Sequence, residues 1–191
     1  MTDLKRVLAP CSLLLALLML AACNAAAPAP IAVEPVVSTA RVKTSADTIA
    51  IGRVSLPAYA KETAIKVQDA QGTIKKLPNA DWADEPDRAL SNSLVRNLSA
   101  ITGAKVAGDP WPLGGIPEAE VAVNVETMIV DATNTMRLAG QFTIRRDRAT
   151  SRNRIETFDI RLPAAERTPR AVVAAHGEAW RDLAERIARA L

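Results

Sequence analysis

Residues 120–130, Glu-Val-Ala-Val-Asn-Val-Glu-Thr-Met-Ile-Val, alternate apolar and polar side chains: Val121, Val123, Val125 and Ile129 oppose Glu120, Asn124 and Glu126. A period of two places alternate residues on one face of an extended chain, so this stretch reads as a strand with one covered and one wet side. Asp131-Ala132-Thr133-Asn134 then supplies turn chemistry. After it Met136, Leu138, Phe142 and Ile144 face one way, and Arg137, Gln141, Thr143 and Arg145 the other. A third run, Arg154 to Leu162, turns Phe158, Ile160 and Leu162 inward. Three consecutive half-buried strands make an antiparallel meander.

Working outward, Thr48 to Val54 (TIAIGRV) is a β-branched apolar run with little polarity on either side. That is the pattern of a strand covered on both faces, inside a sheet. Pro57 ends it by removing a ladder donor. Ala64 to Gln68, a turn at Asp69-Ala70-Gln71-Gly72, and Thr73 to Leu77 read as a hairpin. Asp84 or Glu85 can accept from the free N–H groups of a helix opened by Pro86. Leu90, Leu94, Leu98 and Ile101 recur along it at helical spacing until Gly103, leaving Arg88, Asn92 and Arg96 wet. Lys105 to Ala107 is a short strand, and Pro110 to Gly115 a loop. Thr168-Pro169 caps a last helix whose stripe is Val172, His176, Ala179, Leu183 and Ile187, extended by Trp180. Two amphipathic helices can bury their stripes only on one face of the sheet. The expected fold is α+β: two layers, about seven mostly antiparallel strands, and two helices packed on one face.

The N-terminus carries a different signal. Lys5 and Arg6 precede the apolar run Val7 to Leu20, which closes with Leu20-Ala21-Ala22-Cys23. The run is shorter than the roughly 20 residues that span a bilayer, so it reads as a removed signal peptide. Its ending resembles a bacterial lipobox, in which the cysteine thiol is diacylated, the chain is cut before it, and the new amine is acylated. Cys23 would then be the first residue of a lipoprotein, and two or more acyl chains hold a protein stably at a membrane. Asn24 follows, where Asp would resemble an inner-membrane retention signal, so the expected address is the outer membrane, facing the periplasm. Residues 1–22 are thus expected to be signal peptide, 23–46 a lipidated cysteine with an Ala/Pro-rich tether, and 47–191 a single domain. Pro28, Pro30 and Pro35 interrupt any helix in the tether, which at about 3.1 Å per residue could reach several tens of ångströms. The competing reading is an edge strand over Ile31 to Val37.

Composition excludes several functions. The formal charge of +3 falls to +2 when Asp3, Lys5 and Arg6 leave with the signal. That balance, with 3% aromatic residues, argues against a nucleic-acid partner. Cys11 leaves with the signal and Cys23 is acylated, so neither a disulfide nor a thiol nucleophile remains, and one histidine is too few for a zinc site. No nucleotide loop, G-x-S-x-G or H-E-x-x-H pattern occurs. No catalytic, cofactor or metal residue is expected. His176 reads as packed among alanines, and the carboxylates Asp84 and Glu85, or Glu118 and Glu120, as helix-start and strand-entry residues rather than an acid and base pair. The segment from Arg145 to Arg170 holds eight arginines against four acids, a solvated hairpin or a surface for an acidic partner.

One resemblance runs through these pieces in order: Gly52-Arg53-Val54-Ser55-Leu56-Pro57-Ala58-Tyr59, then Trp82-Ala83-Asp84-Glu85-Pro86 opening a helix that ends at Gly103, then Pro110-Trp111-Pro112, then the valine strand and its partner from Met136 to Ile144. Behind a lipobox and ahead of a C-terminal helix, this resembles the PqiC-type (YmbA-like) auxiliary lipoproteins of ABC-type and MCE-domain transport systems. The resemblance implies a non-enzymatic outer-membrane lipoprotein that docks or caps an MCE-domain transport protein, helps move phospholipid between membranes, and forms a homo-oligomeric ring. Tyr59, Trp82 and Trp111 are the candidate partner contacts, with a core position open for each tryptophan. The alternative is a periplasmic lipoprotein that binds a small apolar ligand or assists envelope assembly without such a complex.

Overall fold

The valine strand is the hub of the sheet. The computed structural model describes residues 29–146 and 153–191. In it the strands are β1 (Thr48–Ser55), β2 (Ala64–Gln68), β3 (Ile74–Asp81), β4 (Lys105–Gly108), β5 (Ala119–Val130), β6 (Thr135–Arg146) and β7 (Arg154–Pro163), with helices α1 (Pro86–Thr102) and α2 (Pro169–Ala190). β5, β6 and β7 form the expected meander. On its other edge β5 pairs in parallel with β1 from Ile49↔Ala119 to Ser55↔Asn124, and with β2 at Val67↔Val130. β1 pairs in parallel with β4, and β2 antiparallel with β3.

The α+β class holds, and the sheet is mixed rather than mostly antiparallel, since three of its six pairings are parallel. Alternation and apolar runs report which faces are covered, not strand direction. The parallel pairs arise because α1 returns the chain to the level of Thr48, where β4 starts beside β1. Ile49, Ala50 and Ile51 are all buried, as a strand between two others should be, while Arg53 beyond them is exposed.

β5 changes phase midway. Its register against β6 shifts between Val125 and Thr127, so Met128↔Leu138 and Val130↔Met136 continue the face begun by Val121, Val123 and Val125. Ile129, expected on that face, pairs with Arg137 on the other side. One extra residue reverses the side on which every later side chain falls. Gly140 permits the close approach, because a Cβ there would lie 2.2 Å from the Asn124 carbonyl oxygen. Where β1 ends and β2 has not begun, the edge of β5 is served by a single 3₁₀ turn, Ala58–Ala60. Its Tyr59 hydroxyl accepts the Met128 N–H at 3.0 Å.

The helices bury the predicted stripes. Leu90, Leu94, Leu98 and Ile101 of α1 and Val172, Ala179, Leu183 and Ile187 of α2 are inaccessible to solvent or nearly so, against Phe142, Ile144 and Leu138 of the sheet. Pro86 opens α1, and Gly103 ends it in the left-handed conformation at φ 71°. Asp84 does not cap α1; it pairs with Arg88. In α2 the Thr168 hydroxyl accepts the Ala171 N–H at 3.4 Å.

The segment expected to be a free tether is, from Ile31 onward, fastened to the domain as a strap along both helices. Ile31 makes one parallel bridge to Trp82, its N–H donating to Asp81 O at 2.8 Å, so the edge strand shrinks to a single residue. Asn97 of α1, 1% exposed, donates to Val36 O at 3.0 Å and accepts from Ser38 N–H at 2.8 Å. The Ser38 hydroxyl donates to Glu185 of α2 at 2.7 Å. Farther on, Val42 N–H reaches Ile101 O at 3.0 Å and the Thr44 hydroxyl reaches Leu191 O at 3.4 Å. The strap therefore runs from the N-terminal to the C-terminal ends of both helices, and lies against α2 closely enough that a Cβ at Gly177 would stand 3.2 Å from Val33 and 3.3 Å from Val36.

Candidate functional site

Three aromatic residues were singled out as contacts, and the structure gives them three different positions. Trp82 leads from β3 into α1 and keeps only 6% of its surface exposed. It stacks on Trp180 at 6.4 Å and meets the His176 ring edge-on at 5.1 Å. Trp82 is thus buried beneath the start of the strap, in the core position left open for it. Tyr59 is half-buried with its hydroxyl committed to β5. Trp111 is half-buried too, but stands in the loop from residue 109 to 118 beside solvent.

That loop carries two of the five large apolar side chains exposed among the described residues, the others being Val37, Ile74 and Ile155. Leu113 is 46% and Ile116 75% exposed. The run Pro112-Leu113-Gly114-Gly115-Ile116-Pro117 has no strand or helix period, and that lack was the available signal. The loop hangs from edge strand β4 and is closed at its foot by two bonds: Glu118 N–H donates to the Thr48 hydroxyl at 3.0 Å, and Asp47 N–H to the Glu118 carboxylate at 2.9 Å.

Several titratable groups are engaged in structure. His176 is 2% exposed between Trp82 and Trp180, with Nδ1 2.8 Å from Val172 O. A carbonyl only accepts, so Nδ1 carries the proton, and burial pushes the imidazole pKa down to about 4. Asp84 is held below its ordinary range chiefly by the Arg88 guanidinium, and Asp159 by Arg161. Glu120 is bound to Arg145 across the β5–β6 pair. Of the arginine-rich segment, Arg167 donates to Gln68 O and, at 3.1 Å, to Asp131 O, which ties the ends of β2 and β5. Arg154 lies 3.5 Å from Glu156. Among the described residues no three His, Cys, Asp or Glu side chains converge as a metal site would require. Nor is any described helix long and apolar enough to cross a membrane. Leu20, Ala21, Ala22 and Cys23 lie outside the described residues.

The helix layer also bears an open groove of about 440 Å³ between the strap and α2, lined by Ile31, Ala32, Val36, Ala171, Val173 and Ala174.

Comparison with known proteins gives a consistent result. The family described as the ABC-type transport auxiliary lipoprotein component matches residues 32–188. No curated protein matches. Among solved structures, a crystallised protein described only as uncharacterized is similar at TM-score 0.66 and 18% identity, over 79% of this chain and 98% of its own. A Xanthomonas campestris protein of the DUF330 family model is similar at TM-score 0.64 and 17% identity, over 83% of this chain and 92% of its own. At these identities the two structures speak for the fold.

Proposed function

The chain belongs to the family of ABC-type transport auxiliary lipoprotein components, and from that premise we propose that it works by contact and not by chemistry. Acylated at Cys23, it stands on the outer membrane facing the periplasm and docks or caps an MCE-domain transport protein that moves phospholipid between the membranes. The observation that carries this reading is the loop from residue 109 to 118, which holds Leu113 and Ile116 out to solvent on a base fixed by Thr48 and Glu118. Half-buried Trp111, in the same loop, is the kind of aromatic residue found at binding hot spots. The loop's foot lies at the far end of the strap from Ile31, so the contact surface is set away from the anchored end. Among the described residues β7 pairs with β6 alone, which leaves a sheet edge along which copies meet in a ring.

The test is co-purification from detergent-solubilised envelopes. Leu113→Asp and Ile116→Asp change exposed side chains, so both variants should melt with the parent and lose the MCE-type partner. Undiminished recovery by both folded variants would refute the loop as the docking surface. Recovery of no transport protein by the parent, with turnover of an ester by the purified domain, would replace the reading with an enzymatic one.

A further inference from the structure

The groove between the strap and α2 has features that packing alone does not require. Its volume of about 440 Å³ falls within the roughly 300–1,000 Å³ usual for small-molecule sites. Its wall is apolar on both sides: Ile31, Ala32 and Val36 from the strap, Ala171, Val173 and Ala174 from α2. Three charged residues also line it. Exposed Arg170 stands on the first turn of α2 and exposed Glu34 on the strap, while Glu178 is already paired with Arg181. An apolar slot with one cation and one free carboxylate at its mouth complements a chain that is apolar along its length and carries both a phosphate and an amine at its end.

We propose that this groove seats one acyl chain of a membrane phospholipid with an ethanolamine headgroup, its phosphate against Arg170 and its ammonium against Glu34. The site rests on the reading of the chain as a membrane-anchored transport component, and gives that component a lipid contact of its own, separate from the loop that docks the partner. The strap is then one wall of a binding site as well as a fastening. Small residues at Ala171 and Ala174 keep the slot open. Larger ones there would fill it without entering the core, since Ala174 is exposed and Ala171 half-exposed.

The experiment uses the full-length lipoprotein in vesicles containing phosphatidylethanolamine with a photoactivatable acyl chain, and, in parallel, diacylglycerol bearing the same chain. Phosphatidylethanolamine is expected to label the strap from residue 31 to 36 or the first turns of α2. Ala171→Trp and Ala174→Trp should lower that labelling roughly tenfold for every two methylenes they exclude, with unchanged melting as the check on folding. Arg170→Glu should lower labelling by the phospholipid and spare that by diacylglycerol. Labelling that survives both tryptophan variants, or is equal for the two lipids in parent and Arg170→Glu, would overturn the proposal. Labelling that appears only in Cys23→Ser would overturn it as well, since the parent's own acyl group would then fill the groove. Whether the parent is acylated is read separately from its intact mass, so failure of the anchor and failure of the groove give different results.

Discussion

Acidification should destabilise this protein through one buried side chain before its carboxylates take part. His176 titrates in the fold at about 4, driven down by burial between Trp82 and Trp180, against 6.5 when unfolded. The unfolded chain therefore binds a proton first as pH falls. Stability is full above about 6.5, declines between there and about 4, and loses nothing further from this group below that. A separation of 2.5 pH units at 1.36 kcal/mol each is worth about 3 kcal/mol, a large share of the stability of an ordinary domain. Asp69, Asp84, Asp131 and Asp159 are all held below their ordinary 3.8 by hydrogen bonds and neighbouring cations, so their stabilisation is lost only at lower pH. The windows are thus separable. Urea unfolding of the parent and of His176→Gln at pH 7.5, 6.5, 5.5 and 4.5 would isolate the histidine as the difference in slope. Parallel curves for the two proteins across that range would refute the assignment of a neutral, buried imidazole.

Further consequences can be measured directly. Gly140→Ala should destabilise by about 3 kcal/mol or more, since its Cβ would press on the Asn124 carbonyl; Gly114→Ala, with open space around it, should stay within about 0.5 kcal/mol. Equal melting shifts for the two would count against the bulge geometry. Asn97→Ala leaves Val36 O and Ser38 N–H without their partner, a loss of about 2 to 4 kcal/mol, and limited proteolysis should then cut within residues 31–46, which the parent protects. Leu98→Ala should cost about 2 to 5 kcal/mol and Asn92→Ala next to nothing, read by the same melts. Cys23→Ser should leave the membrane fraction or remain unprocessed, and an anchored, processed product would remove the basis for the lipoprotein address.

Much of the fold was legible because it is written in periodicity. The stripes of α1 and α2, the hairpin of β2 and β3 and the meander each follow from residues whose spacing matches the face they bury. What escaped has physical causes. The phase change in β5 depends on Gly140 opposite, which the alternating pattern of β5 alone does not contain. Strand direction is set by where connections return, so the parallel pairings of β1 left no local mark. The strap is held by Asn97 and Ser38, single polar residues that in a sequence look like ordinary surface. Trp82 and Trp111 are indistinguishable by type and by their loop settings, and only the three-ring contact with His176 and Trp180 separates the buried one from the one at the rim.

Because Ile31 is already bonded to Asp81, seven residues, Asn24 to Pro30, separate Cys23, the proposed point of attachment, from the fastened chain. At about 3.5 Å per residue its full extension is about 25 Å, whereas a leash running to Ala46 would be some three times longer. Effective concentration falls roughly as the −3/2 power of tether length, so on the proposed attachment at Cys23 fastening the strap concentrates the domain at its membrane about sixfold. A protein held this way cannot travel to meet a distant associate. Whatever it meets must bridge the remaining distance itself, and the contact that sets that distance is the bridge between Ile31 and the chain at Asp81 to Ala83.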